Sequence, residues 1–231
     1  MAYDLYVVTD EELSQGLTHA TIAELASLGG ADVIQLRDKN HTGRELYTIA
    51  REIREVTTRA STLFIVNDRL DIALACGADG VHLGQDDLPL QAARKIAPSP
   101  FIIGISVGTV EEAIEAEKEG ADYVGVGPVF STGSKSDAGP GLGLLLLSEI
   151  RSVVSVPVIG IGGIHPGNAG DVITAGADGI AVISAVVSQL DVIHAAQELR
   201  QIIRQEKSRL SCGQRDIQKR AVKDNSDSNY S

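Results

Sequence analysis

Val158-Ile159-Gly160-Ile161-Gly162-Gly163-Ile164 and Gly179-Ile180-Ala181-Val182-Ile183-Ser184 are two short, almost wholly apolar runs, each giving way to glycine or a hydroxyl residue. A strand that is apolar at nearly every position is buried on both faces, the environment of a parallel sheet covered by helices. Where two such strands end side by side, next to the start of a short helix, their backbone N–H groups form the phosphate cradle typical of the last two loops of a (β/α)₈ barrel. Working outward, β-rich runs of the same kind are expected at Tyr3–Val8, Val33–Leu36, Leu63–Val66, Gly80–Leu83, Ile102–Ile105 and Tyr123–Val126. With Val158–Ile161 and Gly179–Val182 they make eight, each followed by a helix-compatible stretch. The expected fold class is α/β, a (β/α)₈ TIM barrel. The cradle specifies a phosphate and not the molecule that carries it, because barrels for sugar and heterocycle phosphates share it.

A local repeat supports the same architecture: Gly29-Gly30-Ala31-Asp32, Gly77-Ala78-Asp79-Gly80, Gly120-Ala121-Asp122-Tyr123 and Gly176-Ala177-Asp178-Gly179. In each, a glycine at positive φ can end a helix, and Ala-Asp leads into the next strand. These turns lie at the end of the barrel opposite the chemistry, so Asp32, Asp79, Asp122 and Asp178 are expected to be structural. The 231 residues suit one barrel domain over residues 1–205. From Glu206 the sequence turns polar and loses its period, and residues 206–231 are expected to form a disordered polar tail.

Composition excludes several classes. Hydrophobic residues at 43% and charged residues at 22% describe a globular body. Aromatics are 3% with no Trp, which leaves little for base stacking, and 20 basic against 31 acidic residues repel polyanions at long range while permitting a local positive pocket. Cys76 and Cys212 are too few for a disulfide framework or a thiolate metal site, and Cys76 reads as core filler. Met1–Asp4 lacks the features of a secretory signal, and no run of roughly 20 apolar residues occurs. A cytoplasmic location is expected, with no membrane or nucleic-acid partner; a homo-oligomer is left open.

The residues that follow the strands are polar. After the second come Gln35-Leu36-Arg37-Asp38-Lys39, where alternation puts Gln35, Arg37 and Lys39 on one side. Two cations after a barrel strand favour anion binding over solvated charge. After the third stands Asn67-Asp68, and Asp68 could instead cap the helix beginning near Leu70. After the fourth come Gly84-Gln85-Asp86-Asp87, ahead of Pro89 at a helix start. Asp68 and Asp87, from adjacent loops, could hold Mg²⁺ through hard oxygen ligands while substrate phosphates and waters complete its shell. His82, inside a strand, reads as a packed histidine. Ser106 follows the fifth strand. After the sixth, the glycines, hydroxyls and lone Lys135 of residues 127–137 read as a loop that folds over an oxyanion, although such loops are often only flexible. Two anion sites result: a cationic, metallated one at loops two to four, and a backbone one at loops seven and eight.

Gln-Leu-Arg-Asp-Lys at 35–39, Val-Asn-Asp at 66–68, Gly-Ala-Asp-Gly-Val-His-Leu-Gly-Gln-Asp-Asp at 77–87, Gly-Pro-Val-Phe-Ser-Thr-Gly-Ser-Lys at 127–135 and Gly-Ile-Gly-Gly-Ile at 160–164 closely resemble the thiamine phosphate synthase family, over residues 3 to about 200. The resemblance implies a transferase of thiamine biosynthesis. It would join 4-amino-2-methyl-5-hydroxymethylpyrimidine diphosphate to 4-methyl-5-(2-phosphoethyl)thiazole with Mg²⁺, releasing diphosphate through a dissociative, carbocation-like step. Gln35 would contact the aminopyrimidine; Arg37, Lys39, Asn67 and Lys135 would bind the diphosphate; Asp68 and Asp87 would hold the metal. Ser106 matches the family serine near the pyrimidine and the leaving group. Thr132 and Ser134, with backbone groups at Gly163, Ile183 and Ser184, match the thiazole phosphate site. Charge stabilisation would fall to Arg37, Lys39, Ser106 and Lys135. Ser134 stands where the family usually carries Thr, which keeps the hydroxyl.

A thiazole tautomerase of the same fold would bind the thiazole phosphate without a complete metal-diphosphate half-site. Another phosphate-binding barrel isomerase would consume no diphosphate-bearing substrate. A non-catalytic sensor of thiamine precursors would fit the pocket by composition and would show no turnover.

Overall fold

A computed structural model of the protein describes residues 3–97, 99–133 and 141–227, with side chains through Cys212. Eight strands, β1 (Leu5–Val8), β2 (Val33–Leu36), β3 (Leu63–Asn67), β4 (Gly80–Leu83), β5 (Ile102–Val107), β6 (Tyr123–Val126), β7 (Val158–Ile161) and β8 (Gly179–Val182), pair in parallel in chain order. β8 returns to β1 through Ile180–Leu5 and Val182–Val7, which closes the barrel and leaves no edge. The helices are α1 (His19–Leu28), α2 (Gly43–Ala60), α3 (Leu70–Cys76), α4 (Leu90–Ile96), α5 (Val110–Glu119), α6 (Gly143–Val153), α7 (Ala169–Thr174), α8 (Ser184–Val187) and α9 (Val192–Asp227). Among the described residues, no helix is long and apolar enough to cross a membrane.

Five strands have the expected bounds. β1 begins at Leu5, after the expected Tyr3; β3 runs on to Asn67 and β5 to Val107. Asn67 pairs with His82, and Ser106 with Gly125, so both stand within the ladder. The period of apolar side chains stops at these positions because they face a polar interior, while backbone pairing continues. The helices follow ordinary local rules. In α2 the Thr42 hydroxyl and the Glu45 carboxylate cap each other's backbone N–H, and Leu46, Ala50, Ile53 and Thr57 form its buried stripe. Asp68 does not cap α3: the N-cap residue is Arg69, with no side-chain capping bond, so that alternative is set aside.

At the N-terminal end of the barrel, the four repeated turns carry one device four times. The carboxylates of Asp32, Asp79, Asp122 and Asp178 accept from the backbone N–H of Leu5 (3.1 Å), Phe64 (2.7 Å), Ile103 (2.7 Å) and Val158 (2.9 Å). Each therefore ties an even strand to the start of the odd strand before it. Each also meets an arginine from the outer ring: Arg200, Arg54, Arg94 and Arg151 in turn. Gly30, Gly77, Gly120 and Gly176 supply the positive φ, so in the first repeat Gly30 does so and not Gly29. α9 carries on across the expected boundary at Glu206. Lys207 pairs with Asp4 and donates to the Asp178 carbonyl, and Arg209 reaches Thr174.

Candidate active site

The pleat that fills the lower barrel with apolar side chains puts polar ones inside its upper half. Tyr6, Gln35, His82, Ser106 and Tyr123 line one small cavity with Val8, Gly125, Ile159, Ile161 and Ala181. They form a continuous hydrogen-bonded chain across the barrel. Gln35 Nε2 donates to Tyr6 Oη (2.8 Å), Tyr6 Oη meets Tyr123 Oη (2.9 Å), Tyr123 Oη meets His82 Nδ1 (2.9 Å), and His82 Nε2 meets Ser106 Oγ (2.8 Å). Burial pushes both phenols above their ordinary pKa, so they stay neutral. One polarity satisfies each link in turn: Gln35 to Tyr6, Tyr6 to Tyr123, Tyr123 to His82, and His82 to Ser106. It leaves the Ser106 proton for an acceptor in the neighbouring cavity.

That cavity, about 210 Å³, is lined by Arg37, Lys39, Asn67, Asp68, His82, Gly84, Gln85, Asp86, Asp87 and Ser106. Asp68 sits in the left-handed region at φ 62, which strains a residue with a Cβ and turns its carboxyl from the end of β3 toward the β4 loop. Asp87 accepts from the Gly84 N–H at 2.7 Å, which folds that loop back on itself. The Asp68 carboxyl is pushed up to about 6 by burial first, then by its hydrogen bond and proximity to the Asp87 carboxyl, with Lys39 and Arg37 acting in the opposite sense. Two carboxyl groups forced together beside two cations are what a hard divalent ion and a polyanion would relieve together. Arg37 is held 3.8 Å from Asp10 at the end of β1.

Across the rim, Gly162 and Gly163 follow β7 at φ 100 and 63. A Cβ on Gly163 would stand 2.8 Å from both the Phe130 Cβ and the Ser131 carbonyl oxygen, so only glycine lets this loop pass beneath the loop after β6. Asn168 steers the turn by donating to the Gly163 carbonyl (3.0 Å) while accepting from the His165 N–H (2.8 Å). Ile183 is the N-cap residue of α8, and Ser184 is its first residue. Thr132 lies in the loop after β6; Ser134 and Lys135 lie outside the described residues.

The family model for thiamine monophosphate synthase matches residues 5–186. The chain belongs to this family. A thiamine-phosphate synthase of Methanoculleus marisnigri is 62% identical over 200 residues, 87% of this chain and 95% of that protein. That of Methanocella arvoryzae is 62% identical over 205 residues, 89% of this chain and 97% of that one. The solved thiamine phosphate pyrophosphorylase of Pyrococcus furiosus superposes with a TM-score of 0.83 at 47% identity, over 88% of this chain and 96% of its own. A 3-hexulose-6-phosphate synthase, at 22% identity and a TM-score of 0.67, shares the fold alone. The chain is thus an enzyme of the transferase type, built on a TIM barrel.

Of the residues expected in the synthase site, Arg37, Lys39, Asn67, Asp68, Asp87 and Ser106 meet in one cavity, and Gln35 lies in the adjoining one. Tyr6, Tyr123 and Asn168 were not among the expected residues. His82, read as packing, links Tyr123 to Ser106 and lines both cavities. The signal for the three chain residues was strand alternation, which puts Tyr6 in phase with Val8, and Tyr123 with Gly125, on the inner face. No group of three or more His, Cys, Asp or Glu that could hold a metal occurs among the described residues. A pair of carboxylates suits Mg²⁺, which keeps waters and substrate oxygens in its shell, so the donor set fits.

Proposed function

We infer that the chain condenses 4-amino-2-methyl-5-hydroxymethylpyrimidine diphosphate with 4-methyl-5-(2-phosphoethyl)thiazole, giving thiamine monophosphate and diphosphate, as a cytoplasmic enzyme acting on small phosphorylated substrates. The observation that carries this reading is the joining of two half-sites at one rim. The two-carboxylate, two-cation cavity shares His82 and Ser106 with the polar chain leading to Gln35, and the glycine turn after β7 stands at the same end of the barrel.

In this reading Gln35, fixed through its Nε2 by Tyr6, presents its amide oxygen to the ring amine and orients the pyrimidine. Arg37, Lys39 and Asn67 take the diphosphate oxygens, and Ser106, with its oxygen occupied by His82, donates its proton toward the leaving group. Asp68 and Asp87 would hold Mg²⁺, whose contribution is to neutralise charge on the diphosphate. Backbone groups at Gly163, Ile183 and Ser184, with Thr132 and Ser134, seat the thiazole phosphate so that its ring nitrogen faces the methylene carbon. When the C–O bond breaks, the electron pair leaves with the diphosphate, and the ring amine shares the positive charge left on the methylene. The thiazole nitrogen then closes the new C–N bond, and no protein nucleophile is required. Lys135 completes the leaving-group site.

Diphosphate release measured with each substrate omitted in turn tests the reading. Release that needs both substrates is expected; release without the thiazole phosphate, or none at all, would overturn it. A tautomerase gives the Arg37, Lys39, Asp68 and Asp87 cluster nothing to do.

A further inference from the structure

Between Arg37 and Lys39 stands Asp38, a carboxylate flanked by the two cations that face the diphosphate cavity. A carboxylate so placed could neutralise those cations in the resting enzyme. Its oxygens are engaged elsewhere. Oδ1 accepts from the backbone N–H of Asn40 (2.8 Å) and His41 (2.9 Å); Oδ2 meets His19 Nε2 (2.9 Å) and His41 Nδ1 (2.7 Å). The side chain is 6% exposed. Burial alone would raise its pKa, but the bonds from His41, Asn40 and His19 outweigh it and hold the carboxyl below the usual range.

His19, 1% exposed at the start of α1, carries the connection inward. Its Nδ1 meets Thr9 Oγ1 at 2.7 Å, and the buried Thr9 donates its N–H to the Gln35 carbonyl at 2.9 Å. The circuit from Gln35 through Thr9, His19 and Asp38 therefore closes around Arg37. His41 closes the outer side at the mouth of a second cavity, of about 460 Å³, which Arg37 and Lys39 also line.

We propose that Asp38 is a positioning residue for the reaction: acting through His19, Thr9 and His41, it fixes the backbone that aims Arg37 and Lys39 at the substrate diphosphate, and its filled acceptor sites keep it from competing for those cations. The proposal rests on the reading of Arg37 and Lys39 as diphosphate ligands.

The test measures binding of inorganic diphosphate with Mg²⁺ by titration calorimetry, together with KM for each substrate. Asp38→Asn keeps the size and the Oδ1 acceptor but turns an N–H₂ group toward the two imidazoles. Losing charge-assisted bonds of this kind weakens a site by roughly tenfold or more. The expected result is a rise of that order in the diphosphate Kd and in KM for the pyrimidine diphosphate, with KM for the thiazole phosphate within about twofold of the parent. His41→Ala, at the exposed end of the circuit, should raise the same two constants by a few-fold. A folded Asp38→Asn protein with an unchanged diphosphate Kd, or with both KM values raised alike, overturns the proposal. Should Asp38→Asn fail to fold, an unchanged Kd in His41→Ala overturns it. Arg37→Ala separates the two levels: if it leaves diphosphate binding intact, the ligand reading fails, whereas weakened binding in Arg37→Ala with none in Asp38→Asn refutes the positioning role alone.

Discussion

The two ends of the barrel use the same residue types to opposite ends. At the N-terminal end, Asp32, Asp79, Asp122 and Asp178 each have a strand N–H and an arginine, in ordinary backbone geometry. At the C-terminal end, Asp68 is strained at φ 62 and pressed against Asp87, with its carboxyl raised to about 6. A carboxylate whose acceptor sites are filled by the fold contributes stability. One left against another carboxylate costs stability, and natural folds keep such a conflict where it serves a ligand.

The sharpest way to break this comparison is to exchange the two kinds of aspartate. Asp68→Asn and Asp87→Asn should each lower kcat by about 10² to 10³, judged from the loss of one charge-stabilising group, and raise the Mg²⁺ concentration needed. The melting temperature should stay level or rise, because a like-charge conflict is relieved. Metal titration of the initial rate beside thermal melting checks it, and unchanged metal dependence in both variants would remove them as ligands.

Asp79→Ala should do the reverse. It strips the Phe64 N–H and Arg54 of their acceptor, costing about 1.5 to 3 kcal/mol, while activity per folded molecule holds. Denaturant unfolding with a specific-activity measurement decides it. Gly104→Ala sits between the two ends: a Cβ there would stand 2.0 Å from the Tyr123 ring, on the chain that joins Gln35 to Ser106. Overpacking should cost about 1 to 3 kcal/mol, and KM for the pyrimidine diphosphate should rise with it. Wild-type kinetics in a destabilised variant would show the polar chain to be scaffold only.

A smaller effect concerns acid. Because the folded protein holds the Asp38 carboxyl below its ordinary value of about 3.9, its stabilising contribution is fully present above that pH and is lost as pH falls through the lower folded value. The stability difference between the parent and Asp38→Asn should therefore shrink below about pH 4, and shrink also as pH rises through the value of His41, which its bond to Asp38 raises above the ordinary imidazole range, read by unfolding across a pH series. Smallest of all is Arg69→Ala. The Arg69–Asp71 pair is 42% and 64% exposed, and its loss should change stability by about 0 to 1 kcal/mol with little effect on turnover, although Arg69 adjoins Asp68. A large kinetic effect would show that position at the rim, and not the carboxyl pair, defines the site.

The strands were legible because each is an apolar run between glycine-bearing turns, and the four Gly-Ala-Asp segments marked one end of the barrel. Reading stopped short at Asn67 and Ser106, where the strand continues but its side chains turn polar to serve the interior. The charged group of Arg37, Lys39, Asp68 and Asp87 was legible as one that gathers at the rim, since each follows a buried strand, and all four line one cavity. The links between sites were not. Tyr6 and Tyr123 meet across 117 residues of sequence, and His19 reaches Asp38 from another element, so neither has a local pattern.

The clamps at the N-terminal end also set a timetable for a chain made from one end to the other. Arg54 and Asp79 are 25 residues apart, and Arg94 and Asp122 are 28 apart, so each pair can form soon after its own segment leaves the ribosome. Arg200 and Asp32 are separated by 168 residues. Asp32 ties down the first strand, yet its cation arrives only with α9, so the nascent barrel stays open at one seam until that helix has been made.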